Sequence, residues 1–270
     1  MVFLKGKFIP KDEAKLSVLE PGFLYGWGLF ETMRSYRNRI VYFKEHLNRI
    51  KNSSKLIKVK IPYTLSKIRE IIKDTVYINH LKDAYVRLTI WKSESRDNIL
   101  VIARQYNPYL LKKYRQGFFT CISGFRQNEY SILARIKSTN YLLYKLAYLE
   151  AKEKGFDEAI ILNNRGYVAE ASRNNIFLVK DGQVFTPSLS CGCLEGITRR
   201  AIFDLAKRNR IEIFEGNFTL SDLYDADEAF LTNSLMGVMP IRSIERQPVR
   251  RGKITKLFMT QYNSLLRNGI

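Results

Sequence analysis

Apolar and polar residues alternate from residue 3 to residue 10 around a break at Lys5-Gly-Lys7, which predicts a β-hairpin. The same period of two returns over 29–36 and 39–43, two strands joined by a turn at Arg37-Asn38. The pattern then changes to that of a helix. Over 44–56 Leu47, Ile50 and Leu56 share one face, and over 64–75 Leu65, Ile68, Ile71 and Ile72 do the same. Strands are predicted again at 85–91 and 99–104, around the polar loop Lys92-Ser-Glu-Ser-Arg-Asp-Asn98. Together these elements predict a small α+β unit over residues 1–107.

Tyr106-Asn-Pro-Tyr109 and the basic Lys112-Lys-Tyr-Arg115 interrupt the periodicity, so 108–116 reads as an interdomain linker. A larger, β-rich unit is expected over 117–270. Its strands are predicted at 118–122, 159–162, 176–179, 212–214 and 228–231, with turns at Asn163-Asn-Arg-Gly166 and Asp181-Gly182. Helices are predicted at 140–154, closed by Gly155, at 198–209 and briefly at 221–224.

Composition narrows this picture. A chain of 270 residues, 46% hydrophobic and 26% charged, can bury two moderate cores and has a globular balance. Its apolar runs are short, as in Ile99-Leu-Val-Ile-Ala103, well below the roughly 18 residues of a membrane span. Met1-Val-Phe-Leu-Lys-Gly-Lys reads as a strand entering a turn and not as a signal peptide, so the expected location is cytoplasmic, with no membrane partner. Cys121, Cys191 and Cys193 make no disulfide framework, and with His46 and His80 they complete no metal-ligand pattern; no metal is expected. The net charge of +19 raises the question of nucleic acid. The basic residues are dispersed, however, and no aromatic–basic RNA motif accompanies them. The densest patch, Arg246-Gln-Pro-Val-Arg-Arg-Gly-Lys253, reads as a surface turn. A solvated basic surface that favours small anions is the expectation, with no nucleic-acid partner.

Candidate chemistry begins in Ala134-Arg-Ile-Lys-Ser-Thr-Asn-Tyr141, where Lys137 opens a helical pattern between Ile136 and Tyr141-Leu-Leu143. An apolar setting strips water from an ammonium and makes the amine nucleophilic near neutral pH, although a surface lysine at a helix start has the same pattern. Glu170 follows Tyr167-Val-Ala169 at a point where a strand is expected to turn. It is either an acidic turn residue or a carboxylate able to hold a ring nitrogen protonated. In Leu194-Glu-Gly-Ile-Thr-Arg-Arg200 a glycine leads into a helix. The amides of Gly196, Ile197 and Thr198 form either a plain helix start or an anion seat. Thr232-Asn-Ser-Leu-Met-Gly237 adds the Ser234 hydroxyl and a turn of amides, and Arg49 on the first helix is a planar fork for a phosphate or a cap on the solvent face.

Seven segments in order resemble the class IV pyridoxal phosphate-dependent aminotransferase family, also called fold type IV. They are Gly22-Phe-Leu-Tyr-Gly-Trp-Gly-Leu-Phe-Glu-Thr-Met-Arg34, Glu45-His-Leu-Asn-Arg-Ile50, Lys137-Ser-Thr-Asn-Tyr141, Glu170-Ala-Ser-Arg-Asn-Asn-Ile-Phe177, Thr186-Pro-Ser-Leu189, Gly196-Ile-Thr-Arg199 and Thr232-Asn-Ser-Leu-Met-Gly-Val-Met-Pro240. The resemblance implies a two-domain α+β fold like that of D-amino acid aminotransferase, pyridoxal 5'-phosphate as cofactor, a small-molecule amino substrate and a homodimer. It implies that Lys137 carries the cofactor and moves a proton on and off the substrate carbon. Glu170 would pair with the pyridine nitrogen. Arg49, Ile197, Thr198 and Ser234 would cradle the phosphate, and Tyr141 would lie near the phenolic oxygen. Tyr25, Phe30 and Arg34 would line the substrate side, and the Leu235 and Met236 amides would receive a substrate carboxylate.

Three activities share this resemblance. Phe30-Glu-Thr-Met-Arg34 is similar to the aminodeoxychorismate lyase pattern, whereas branched-chain enzymes tend to place Gly after the Glu. The stretch from Thr232 to Pro240 is also lyase-like, because both transaminase groups favour a Ser/Gly/Thr-rich turn there. Arg96-Asp-Asn98 has the Arg of a D-amino acid carboxylate trap without its His. The expected activity is therefore elimination of pyruvate from 4-amino-4-deoxychorismate to give 4-aminobenzoate, in folate biosynthesis. The alternative is amino transfer from branched-chain L-amino acids or D-amino acids.

Overall fold

The computed structural model describes residues 1–37 and 39–268, and the chain divides into two units. The first comprises Met1–Asn107 with Ile136–Asn140, and the second comprises Pro108–Arg135 and the chain from Tyr141 onward.

The first unit runs β1 (Val2–Leu4), β2 (Lys7–Ile9), α1 (Pro21–Leu24), β3 (Gly28–Tyr36), β4 (Arg39–Ile40), α2 (Phe43–Leu56), α3 (Leu65–Ile78), β5 (Ala84–Trp91) and β6 (Asn98–Gln105). Among the described residues these strands form a six-stranded antiparallel sheet in the order β2-β1-β6-β5-β3-β4. Alternation along β3 puts Leu29 and Met33 on the face that packs with Leu47 and Ile50 of α2 and Ile68 and Ile72 of α3. Leu56, expected on the apolar face of α2, is 57% exposed, and His46, Ser53 and Ser54 are buried in that helix instead. The strand expected to reach residue 43 stops at Ile40, because Tyr42 adopts a left-handed conformation (φ 50°) and caps α2. Asn38, in the expected Arg37-Asn38 turn, lies outside the described residues. α3 starts at a Thr64 cap whose hydroxyl accepts from the Lys67 amide. It continues past residue 75 because the Thr75 hydroxyl donates to the Ile71 carbonyl within the helix and Val76 is buried.

The segment 136–140 is stitched to the start of β3. The Phe30 amide donates to the Lys137 carbonyl and the Thr139 amide to the Gly28 carbonyl, both at 2.9 Å. Thr139 Oγ1 and Asn140 Nδ2 both donate to the Gly26 carbonyl, at 2.6 and 2.8 Å.

The second unit contains α4 (Leu111–Gln116), β7 (Phe118–Gln127), α5 (Leu142–Glu153), β8 (Glu158–Asn163), β9 (Val168–Ala171), β10 (Asn175–Lys180) and β11 (Gln183–Pro187). It continues with α6 (Ile197–Arg208), β12 (Ile213–Gly216), α7 (Leu220–Tyr224), β13 (Glu228–Asn233), β14 (Gly237–Ile244), β15 (Gln247–Pro248) and α8 (Lys253–Asn268). The described strands form one curled sheet, β12-β11-β10-β13-β14-β7-β8-β9, with β15 beside β14. The β14–β7–β8 stretch is parallel, and its register shifts at both pairings. Phe177 and Phe230 stack across β10 and β13 with centroids 4.9 Å apart, and Phe258 of α8 packs on Phe230.

Several elements depart from the sequence pattern. The stretch expected as a linker forms α4, which ends at Gly117 with φ +84°. Glu170 lies inside β9 and not at a turn; the chain turns after it, at Ser172-Arg173. β14 and α8 had no predicted counterpart. α8 buries Phe258, Tyr262 and Leu266 along one face, and its first turn is held by Glu228, whose carboxylate accepts from the Ile254 and Thr255 amides. No described helix is long and apolar enough to cross a membrane.

Gly237 starts β14 with φ +72°, and a Cβ there would come within 2.8 Å of the Tyr262 ring. Gly166, at φ +83°, has nothing near the same position. Gly166→Ala should therefore cost about 1 kcal/mol from backbone conformation alone. Gly237→Ala should cost at least about 2 kcal/mol, since overpacking against Tyr262 adds to it. Denaturant midpoints of the two variants check this ordering.

Candidate active site

In the first unit Lys137 is half-buried, and its Nζ lies 4.7 Å from the centroid of the buried Phe30 ring. The Arg87 guanidinium lies 3.8 Å from the centroid of the same ring. Phe30 and Arg34 share the face of β3 opposite Leu29 and Met33. Arg34 sits over Tyr106 at 4.4 Å, and its buried Nε has no hydrogen-bond acceptor among the described residues. Tyr25, at the end of α1, is 70% exposed.

Glu31 and the two basic residues of α2 form a buried cluster. Arg49 donates Nε–H to Glu31 Oε1 at 2.8 Å and Nη2–H to Oε2 at 2.7 Å, while His46 Nδ1 lies 2.6 Å from Oε2. Burial works against a charge on Glu31, but the Arg49 fork overcomes it and holds the carboxyl down to about 2. Burial pushes the His46 imidazole down, with Arg49 and Lys137 acting in the same direction, so a neutral ring donates its Nδ1–H to Glu31. The Arg49 fork expected on a phosphate is thus engaged with Glu31, a residue that sequence reasoning did not assign. The available signal was its position between buried apolar neighbours on β3.

In the second unit Glu170 is 5% exposed. It accepts from Tyr144 Oη at 2.9 Å, the Leu194 amide at 3.2 Å and Asn175 Nδ2 at 3.3 Å. Burial and then the Glu170 charge push the Tyr144 phenol well up, which keeps it a donor. Tyr144 accepts in turn from Gln127 and stacks on Tyr141, whose hydroxyl donates to the Ser172 carbonyl. Asn175 also donates to the Leu194 carbonyl at 2.8 Å, and its Oδ1 lies where a Cβ on Gly196 would come within 1.9 Å. Any side chain at residue 196 would displace Asn175 and with it a donor to Glu170.

Gly196 caps α6, so the first-turn amides of Ile197 and Thr198 have no carbonyl partner inside their own helix. Thr198 is buried, and its hydroxyl lies 3.4 Å from Tyr262 Oη. After β13, Asn233 Oδ1 accepts from the amides of Leu235 at 3.0 Å and Met236 at 2.8 Å, closing a tight turn around Ser234. The second unit therefore brings Glu170, Tyr141 and the Gly196–Thr198 seat into one bonded neighbourhood through Tyr144 and Asn175. Sequence reasoning missed both of these, along with Asn233.

Cys191 and Cys193 are buried, and burial pushes the Cys193 thiol up to about 12, so it is not poised as a nucleophile. Among the described residues no group of three or more His, Cys, Asp or Glu could hold a metal.

The profile of the class IV amino-transferase family matches residues 28–244. The branched-chain-amino-acid aminotransferase of Pseudomonas aeruginosa is 32% identical over 98% of this chain and 92% of its own length. The structure of the T.th. branched-chain amino acid aminotransferase with pyridoxamine 5'-phosphate is 30% identical, with a TM-score of 0.93, over 99% of this chain and 94% of that one. A Legionella pneumophila chain provisionally named 4-amino-4-deoxychorismate lyase has a TM-score of 0.86 at 23% identity, over 94% of this chain and 96% of that one, a likeness of fold.

Because Glu31 titrates at about 2 in the folded chain against an ordinary 4.5, its stabilising effect is complete above pH 4.5 and is lost as the pH falls toward 2. The effect amounts to about 3 kcal/mol. Glu31→Gln should be less stable than the parent at pH 6, and the gap should close as the pH falls through that window. Chemical denaturation at pH 6 and pH 3 measures it.

Proposed function

The chain belongs to the class IV aminotransferase family, and from that membership we propose that it transfers the amino group of branched-chain L-amino acids to a keto-acid acceptor. The carrying observation is the extent of likeness: the Pseudomonas aeruginosa relative, named for this activity, matches over 98% of the chain. This reading displaces the lyase expected from the sequence. That expectation rested on two short segments, and the lyase-named structure shares the fold at only 23% identity.

Pyridoxal phosphate is the cofactor of this family, and it supplies an electron sink for the bonds at the substrate's amine-bearing carbon. The residues present suit it. Glu170 is a buried carboxylate held by three donors, able to keep a pyridine nitrogen protonated. Gly196 leaves the start of α6 clear of side chain, and the Ile197 and Thr198 amides with the Thr198 and Ser234 hydroxyls suit a phosphate. Arg49, its fork held by Glu31, keeps the role toward the phosphate that the family resemblance implies, and the Tyr141 hydroxyl serves the phenolic oxygen. Lys137 would hold the cofactor and move the proton at the substrate carbon, its amine set beside the apolar Phe30 ring. Tyr25, Phe30 and Arg34 serve the substrate side. The Leu235 and Met236 amides would exchange their bonds to Asn233 Oδ1 for bonds to the substrate carboxylate. Val18, Leu19, Phe23 and Leu24, each more than half exposed, support the expected homodimer.

L-Leucine or L-valine should convert the absorption of the holoenzyme from the pyridoxal to the pyridoxamine form. Release of 4-aminobenzoate from aminodeoxychorismate, with no spectral response to either amino acid, would replace amino transfer with the lyase. Borohydride reduction should fix the cofactor on the peptide containing Lys137, as read by mass spectrometry. Lys137→Ala should lose that label and about a thousandfold or more in activity.

A further inference from the structure

Glu158, at the start of β8, is fully buried and takes no part in the chemistry above. Its Oε1 accepts from the Ser172 hydroxyl and the Ala159 amide, and its Oε2 accepts from Asn174 Nδ2 at 2.5 Å and Arg173 Nε at 3.3 Å. Three consecutive side chains, Ser172, Arg173 and Asn174, therefore converge on one carboxylate. They form the turn between Glu170 on β9 and Asn175 on β10, and the Ala171 amide closes that turn on the Asn174 carbonyl.

Asn174 does not end the chain of bonds. Its Oδ1 accepts from Asn233 Nδ2 at 2.6 Å, and Asn233 Oδ1 accepts from the Leu235 and Met236 amides. A carboxamide can donate at one end and accept at the other, so the two asparagines pass an orientation from a fixed anion to a pair of backbone N–H groups. We propose that Glu158, Asn174 and Asn233 are a positioning relay, which sets the direction of the Leu235 and Met236 amides and so tunes the affinity for the substrate carboxylate. The carboxylate role rests on the amino transfer proposed above; the relay itself rests on the bond chain.

The orientation runs one way. Glu158 cannot turn, because both of its oxygens are engaged and Ser172 and Ala159 hold one of them. Asn174, only 4% exposed, donates to that anion and so has its Oδ1 directed at Asn233. Asn233 then presents its oxygen to two amides and holds them side by side, in the place that a carboxylate oxygen would take over from it. Fixing such donors before the ligand arrives lowers the ordering cost of binding.

The test compares Asn174→Ala with Ser172→Ala in the holoenzyme. The first cuts the relay. The second removes a hydrogen bond to the other oxygen of the same carboxylate and leaves the relay intact. By hydrogen–deuterium exchange, the peptide spanning residues 232–238 should exchange about fivefold to tenfold faster in Asn174→Ala and at the parent rate in Ser172→Ala. With L-leucine, KM should rise about tenfold in Asn174→Ala while kcat stays within about twofold, since Glu170 keeps its own donors. In an Asn233→Ala background, adding Asn174→Ala should change neither readout further. Unchanged exchange at the turn in Asn174→Ala, an equal rise in Ser172→Ala, or a KM that stays level or falls overturns the relay. If the parent protein does not respond to L-leucine, the amino-transfer reading fails, and the exchange data decide the relay alone.

Discussion

The second unit's site depends on the side chain of Asn175. It donates to Glu170 and to the Leu194 carbonyl, and it fills the space that any side chain at Gly196 would need. A buried carboxylate, proposed for a protonated ring, and an open helix start, proposed for a phosphate, are different chemistries. One carboxamide holds both at fixed separation. Asn175 can do so because it begins β10, paired with Thr232 of β13 in the middle of the sheet. A loop residue would lack the rigidity to keep two charge-selective groups in register.

Two buried carboxylates show how pairing geometry decides the state of a charge. Glu31 meets a bidentate guanidinium, two N–H groups on two oxygens, and stays ionised to about pH 2. Glu158 is as deeply buried, but its cation Arg173 offers one nitrogen at 3.3 Å and is 37% exposed. Burial dominates there and raises the Glu158 carboxyl in spite of Arg173 and its other donors. Depth alone fixes neither outcome. The second arrangement depends on neutral hydrogen bonds, as suits a group that orients its neighbours.

Much of the first unit could be read from periodicity, because its helices and strands each bury one face. Leu47, Ile50, Ile68 and Ile72 were legible at helical spacing and do lie in the core. The second unit was harder for a physical reason. All four residues of β9 are buried, so the alternation that would mark Glu170 as a strand residue is absent. β14 carries Pro240, a residue type that central strands disfavour, so its sequence does not mark it as one. The spacing of Phe258, Tyr262 and Leu266 in α8 was present in the sequence, but it followed a basic stretch that read as a surface turn. Tyr144, Asn175 and Asn233 could not be singled out from type or spacing. Their importance comes from partners distant in sequence, which no local pattern encodes.

The backbone bonds that join residues 136–140 to β3 bear on the order in which the chain becomes a protein. The Gly26 and Gly28 carbonyls find their partners in Thr139 and Asn140, more than a hundred residues further on. A chain emerging from the ribosome therefore assembles most of its first core before the acceptors at the head of β3 are satisfied, and Ile136 joins that core with the same late segment. That unit must wait, with its sheet formed and one seam open, until Lys137 and its neighbours have been synthesised.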